Sequence, residues 1–389
     1  HAAWISTGAL PANNPDYRAG RVSWADWKPF TGENAWAFLI GPLQAAWLHH
    51  VRGRGAPCVP FADPAVQGAL RVLPTFALMQ APIGGMYYAP SGTLRNQGKL
   101  YVDTREIVVE NTASLYAGLR ILEGTLRAIE AHDAQLDARG RTAIREALAL
   151  IATMIDGGQA PHGAATAGML AFFREHAWRD GEFVQGGLYP DPPQGGAWRP
   201  GSGPRAVDAN TWSIAALGAH TIDGWFGFGA AWENWQRVKR WGGYGTGDTL
   251  WGVGFSDLDG NGIGSDGAYR QGVLSSEWTA GAITLVRSLR AHYGGIGPAS
   301  PHHARALDYV AALARDEASM LEAVQRLRFD RYLATDFPGK PARYAELLGR
   351  RDDALPYLYA SRRYAIPFGW YANPLPSTCA TAWMVMLAA

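Results

Sequence analysis

The chain has 389 residues, 48% hydrophobic and 18% charged, with 35 basic against 34 acidic side chains and a formal charge of +1. This describes a globular chain with a large core. It excludes nucleic acid as a partner, because no Lys/Arg run is present to neutralise phosphates. No stretch approaches 18 uninterrupted apolar residues, so no membrane span is expected.

Helical periodicity dominates from one end to the other. Residues 33–51 place Trp36, Leu39, Ile40, Leu43 and Trp47 on one stripe, behind the opening Glu33-Asn34-Ala35-Trp36. A helix at 64–80 follows, then the Gly/Pro/aromatic loop 81–104. Residues 108–130 carry Leu115, Leu119, Leu122 and Leu126 behind Glu110-Asn111-Thr112-Ala113. Helices at 141–155 and 163–177 precede the loop 178–207. Asp208-Ala209-Asn210-Thr211-Trp212 opens a helix at 208–219, and another is expected at 228–240. After the loop 241–274, Glu277-Trp278-Thr279-Ala280 opens 275–292, and helices at 302–326 and 341–350 come next. Beyond the loop 364–376, residues 377–389 repeat the form through Ala382-Trp383 without the acid.

Acid-headed helices that are apolar nearly all round alternate with amphipathic ones such as 141–155 and 302–326. That alternation predicts an all-α fold in two layers, inner and outer helices closing a toroid, as one domain over 1–389. The long loops would gather where the acid-headed helices begin, and long ordered loops are usually functional.

Glu33, Glu110, Asp208 and Glu277 are therefore the candidate catalytic groups, since sugar cleavage needs one protonated and one ionised carboxyl. Each also suits a first helical turn, where the macrodipole favours an acid. The chain has 16 Trp and 16 Tyr. Sugar rings stack on aromatic faces, so Trp225, Trp370 and Tyr371, in Gly/Pro-rich loops, are candidate substrate contacts. Asn34, Trp36, Asn111 and Trp212 adjoin the acids and join them as candidates, although Trp36 and Trp212 also suit gaps between helices. Asp257-Leu258-Asp259-Gly260-Asn261-Gly262-Ile263 matches the first half of a calcium-binding EF-hand loop. Asp257, Asp259 and Asn261 would offer side-chain oxygens and Ile263 its carbonyl. Ala268 at the twelfth position excludes a full EF-hand, leaving a partial loop completed by Asp266 or a metal-free turn. No cofactor is otherwise required. Cys58 and Cys379 allow one disulfide or two unpaired thiols. No metalloprotease, P-loop, nucleophile-elbow or dinucleotide motif occurs.

These residues resemble the six-hairpin α/α-toroid glycosidase superfamily and, more faintly, glycoside hydrolase family eight. In that family an early acid opening the first inner helix donates the proton, and Thr31-Gly32-Glu33-Asn34 is similar. Val109-Glu110-Asn111-Thr112 matches the family's sugar-binding second inner helix in position, and Val207-Asp208-Ala209-Asn210 its catalytic base. The chain departs at Asn34, where the family has Gly, in lacking the double-Asp segment, and in loop lengths.

The resemblance implies an (α/α)6 fold and a glycoside hydrolase or transglycosidase acting on a polysaccharide or oligosaccharide. Glu33 would be the acid and Asp208 the base, with Glu110 and Glu277 in subsites or reversed roles. A polysaccharide lyase on the same toroid is the alternative, disfavoured because four acids repel an anionic glycan. A non-catalytic glycan-binding protein of an exopolysaccharide system is a third. Terpene cyclisation lacks its acid cluster. A sequence starting at His1 rather than Met suits a removed signal peptide, so a periplasmic or secreted monomer is expected.

Overall fold

The computed structural model describes residues 30–90, 103–159, 165–189, 197–332, 356–368 and 370–388. The predicted helix at 341–350 lies outside them. The chain is mainly helical, with short antiparallel strands confined to the connections. It divides into two compact units, one of His1–Ala177 with Gly186–Gly201, the other of Trp178–Gln185 with Ser202–Ala389.

In the first unit a helical rod, α1, runs through Thr31–Ala35, the π-helical turn Trp36–Ile40, Gly41–Trp47 and a second π-helical turn, Leu48–Gly53. α2 is Pro64–Leu78, with Pro at its start and the Asp63 carboxylate accepting from the Ala65 N–H. Both are standard helix-start devices. α3 is Val109–His132 and α4 is Ala138–Asp156, capped by Asp137. α5 comprises Met169–Ala171 and the π-helical turn Phe172–Ala177, with the hairpin strand Ala165–Thr166 where more helix was expected. α3 buries Leu115, Leu119, Leu122, Leu126 and Ile129, spaced three or four apart, and packs on α1 and α4. The approach to α1 is close: a Cβ on Gly118 would lie 3.0 Å from the Leu39 side chain. Nearer their C-termini, α1 and α3 line an apolar cavity of about 360 Å³ that also holds Cys58.

In the second unit α6 is Val207–Leu217, α7 is Ala219–Phe226 and α8 is Ala230–Gly242. Gly218 and Gly227 separate them with φ of 87° and 97°, values that favour glycine. α9 (Ser276–Gly294) is the central helix and packs on α6, on α10 (His303–Val324) and, after the short α11 (Phe329–Tyr332), on α12 (Thr378–Ala388). α9 buries residues on every side, including Trp278, Ile283, Leu285, Val286 and Leu289. α10 is amphipathic and turns Glu317 onto Arg287 and Arg290 of α9. The short helix α7 is an element the periodicity did not predict.

Candidate active site

Five helix starts among the described residues follow one hydrogen-bonding frame. Counting each residue before the helix as position 0, these are Phe30, Val108, Ala206, Ser275 and Ser377, heading α1, α3, α6, α9 and α12. Position 4 is always Asn or Thr: Asn34, Thr112, Asn210, Thr279 and Thr381. In four of them the side chain accepts an N–H from an incoming loop segment. Thr112 Oγ1 takes the Met86 N–H (3.1 Å), Asn210 Oδ1 that of Phe183 (2.8 Å), Thr279 Oγ1 that of Val253 (3.0 Å) and Thr381 Oγ1 that of Tyr357 (3.0 Å). Asn34 instead bonds its own cap, Nδ2 donating to the Phe30 carbonyl at 2.7 Å, as Asn210 also does to Ala206. Thr112, Asn210, Thr279 and Thr381 thus hold loops to helix starts.

The segments held in this way join neighbouring starts. Residues 86–88 run between α1 and α3: Thr31 N–H donates to the Tyr88 carbonyl and Tyr88 N–H to that of Glu106. Residues 253–255 run between α6 and α9, since Val207 donates to the Phe255 carbonyl and Ser275 to that of Val253, both at 3.0 Å. Residues 357–360 do the same for α9 and α12, through Ser276 N–H to the Tyr359 carbonyl and Ser377 N–H to that of Tyr357. Within each unit, then, these helices begin side by side at one end.

Position 2 carries Gly32, Glu110, Asp208, Glu277 and Cys379. Three of the four predicted acids share this place, and Glu33 does not. It stands at position 3 and is exposed. Gly32 fills its expected place, where a Cβ would come 2.5 Å from Asn111 Oδ1. In the first unit Ser114 donates to Glu110 Oε1 at 2.6 Å and receives Trp36 Nε1 at 3.1 Å. Asn111 is buried, and its Nδ2 has no partner among the described residues.

One turn below, position 6 reads Trp36, Ser114, Trp212, Gly281 and Trp383. In the second unit the Trp212 and Trp383 rings lie 5.9 Å apart. Between their helices α9 offers only Gly281, where a Cβ would fall 2.0 Å from Trp212 Nε1. An indole layer therefore underlies Asp208, Glu277 and Cys379.

Glu277 is the acid whose surroundings are best defined. Burial pushes its pKa up, opposed by hydrogen bonds from the Cys379 thiol and the Tyr359 hydroxyl. Phe255 packs near this group, edge-on to Trp278 at 4.9 Å and 5.8 Å from Tyr359. Cys379 and Tyr359 were not among the predicted site residues. The available signal was that the last helix repeats the acid-headed form with Cys379 in the place of the acid.

The aromatic candidates divide. Trp225 lies inside α7, edge-on to Phe226, and not in a loop as expected. Tyr371 is 56% exposed on the strand Trp370–Ala372, with the Arg363 guanidinium 4.8 Å from its ring. Trp370 belongs to the same strand, and its side chain lies outside the described part.

The 257–263 segment does not fit a calcium loop. Asp259 is buried and accepts from the Phe255 and Ser256 N–H groups and from Ser256 Oγ at 2.7 Å. Burial raises its pKa against those bonds and one from Tyr364, whereas a cation needs the carboxylate ionised. Asn261 Oδ1 takes the Val273 N–H at 2.9 Å, and Asp257 pairs with Arg205 at 3.0 Å. Ile263 sits on a two-residue strand, Gly262–Ile263. Among the described residues, no group of three or more His, Cys, Asp or Glu is placed to hold a metal. Both cysteines are free thiols, Cys58 buried and Cys379 exposed.

No protein-family model matches the chain, and no curated protein does. Neither comparison supports the family-eight resemblance. Among solved structures, a cellobiose 2-epimerase from Spirochaeta thermophila is 14% identical with a TM-score of 0.34, covering 77% of this chain. This chain spans 59% of that protein's length. A variant of the unsaturated glucuronyl hydrolase UGL with dGlcA-Glc-Rha-Glc is also 14% identical at a TM-score of 0.34, with 82% of this chain and 71% of that one covered. At this level the likeness transfers neither site nor activity.

Proposed function

We propose that the chain is a carbohydrate-active enzyme, a glycoside hydrolase or transglycosidase, with Glu277 as proton donor and Asp208 as the ionised partner. The observation that carries this reading is the shared frame of α6, α9 and α12. It sets two carboxylates at the same position of neighbouring helix starts, above an indole layer. Desolvation of the half-buried Glu277 raises its proton affinity, so it holds its proton to higher pH, as a general acid for a glycosidic oxygen must. Asp208 stands on the first turn of α6, where the helix N-terminus favours a negative charge by about 0.3–1 kcal/mol. It would activate water or attack the anomeric carbon. The donor role expected of Glu33 passes to Glu277. We further propose that α1, α3, α6, α9 and α12 are inner helices of an (α/α)6 toroid, a reading supported by their common frame.

The test is a panel of neutral and acidic glycans read by new reducing ends and by absorbance of unsaturated uronates. Reducing ends without that absorbance are expected. Glu277→Gln and Asp208→Asn should each lose about 10²–10⁴ in rate while remaining folded, the usual cost of removing a general acid or base. Glu33→Gln should keep near-normal turnover. Unsaturated products would establish a lyase instead, and binding without turnover a glycan-binding protein.

A further inference from the structure

The cavity of about 360 Å³ in the first unit lies toward the C-terminal ends of α1 and α3 and takes no part in the acid/base reading. Its walls are Leu43, Trp47 and Val51 of α1, Ile121 and Ala128 of α3, and residues 57–59 that follow α1. The sequence leaves this space open at Gly124, where a Cβ would have nothing within 4 Å. Thr125 also lines it, but its hydroxyl already donates to the Ile121 carbonyl at 2.8 Å, so the wall offers water little. An apolar cavity of about 150 Å³ takes a benzene ring, and by that measure this one takes about a dozen carbon atoms.

The rim of this apolar space is cationic. Arg120 lines it, and the Arg52 guanidinium lies 5.8 Å from the centre of the Trp47 ring. Glu123 receives Arg120 at 2.6 Å and Arg127 at 2.8 Å, so two cations share one anion. Asp133, after the end of α3, is held by the Phe61 and Gln135 N–H groups at 2.9 Å. Positive charge is therefore in excess beside an apolar trough. We propose that the cavity binds a medium-chain fatty acid, with a tail of about ten to twelve carbons between α1 and α3 and its carboxylate at Arg52 and Arg120. The walls select the tail, and the arginines select an anion over a neutral chain. The volume takes one chain, so a two-chain membrane lipid does not fit. This site is independent of the acid/base reading, because its residues belong to the first unit and stand away from the helix starts.

Cys58 is a built-in reporter, since it lines the cavity and is otherwise 7% exposed. The sequence has two cysteines, so Cys379→Ser leaves Cys58 as the one thiol to label. The full chain carrying that change is treated with N-ethylmaleimide, with and without dodecanoate kept below its micelle threshold. At about ten times its Kd the acid leaves about a tenth of the sites open, so labelling should slow about tenfold and the melting temperature should rise. Dodecanol has the same tail without the charge and should bind about tenfold more weakly, the worth of one charge-assisted hydrogen bond. Arg52→Gln with Arg120→Gln should bring dodecanoate to the level of dodecanol. Gly124→Leu sets a side chain in the empty space and should abolish the ligand-induced rise in melting temperature, with folding checked by circular dichroism. Labelling and melting that dodecanoate leaves unchanged would overturn the proposal, as would a full response in folded Gly124→Leu. Equal binding of dodecanol would reject the carboxylate site. Protection by phosphatidylglycerol vesicles and not by the free acid would reject the fatty acid in favour of a membrane surface.

Discussion

Glu277 has a cost that the fold bears. Its carboxyl is pushed up by burial, so between the ordinary carboxylate pKa and its raised value the native chain binds a proton that the unfolded chain has released. Stability therefore falls as pH rises through that window and stays lower above it. Glu277→Gln keeps the shape and removes the ionisation. The variant should melt higher than the parent at pH 7 and match it near pH 4, with catalysis lost throughout. An unchanged difference across pH would mean that the carboxyl is solvated.

At the scale of elements, two glycines on long helices show opposite effects. Gly281 leaves room for Trp212, and Gly281→Ala would drive a methyl into that indole. Overpacking of this kind costs about 1–3 kcal/mol, more than the ~1 kcal/mol that alanine gains in a helix. Gly124 of α3 has nothing within 4 Å of the place a Cβ would take. Gly124→Ala should therefore stabilise by about 0.5–1 kcal/mol. Chemical denaturation of the pair checks both signs. The sequence made these helices legible because leucines recur on one stripe of α3 and carboxylates cap apolar runs. It hid α7, whose eight residues hold Gly224 and three aromatic or histidine side chains that read as loop. It put Glu33 on a first helical turn, where it stands, but did not show it to be one residue on from the place the other three acids share. Asn and Thr serve interchangeably at position 4, and only the hydrogen bond from Asn34 to Phe30 shows that the first helix is counted from Gly32 to Asn34.

For the whole molecule, acidic groups with opposite shifts predict a stability maximum in mild acid. Burial would raise Asp223, but hydrogen bonds from His292, the Ala231 and Gly229 N–H groups and Tyr293 outweigh it and hold the carboxyl low. Burial likewise acts against Glu317, and Arg287 and Arg290 hold it low. For these two, stability is full above their ordinary values of 3.8 and 4.5 and is lost as pH falls through the native values. Glu277 and Asp259 are raised, so their contribution is full below the ordinary carboxylate values and is lost as pH rises through the raised native ones. The melting temperature should rise from pH 7 into mild acid and drop below about pH 4. A monotonic fall from neutrality would contradict this sum. The chain's near-zero formal charge adds little general repulsion in the upper part of that range.

The indole pair beneath Glu277 makes one further quantity observable. Trp212 belongs to α6 and Trp383 to α12, with α9 packed on both, and the rings are 5.9 Å apart at 32°. Transition dipoles this close and mutually tilted couple strongly, so light absorbed by one ring is shared with the other. The pair is thus a built-in optical ruler for the register of three helices. Its exciton signal in circular dichroism, identified by its loss in Trp383→Phe, would report sub-ångström shifts of the site's foundation while a ligand binds, with no label attached.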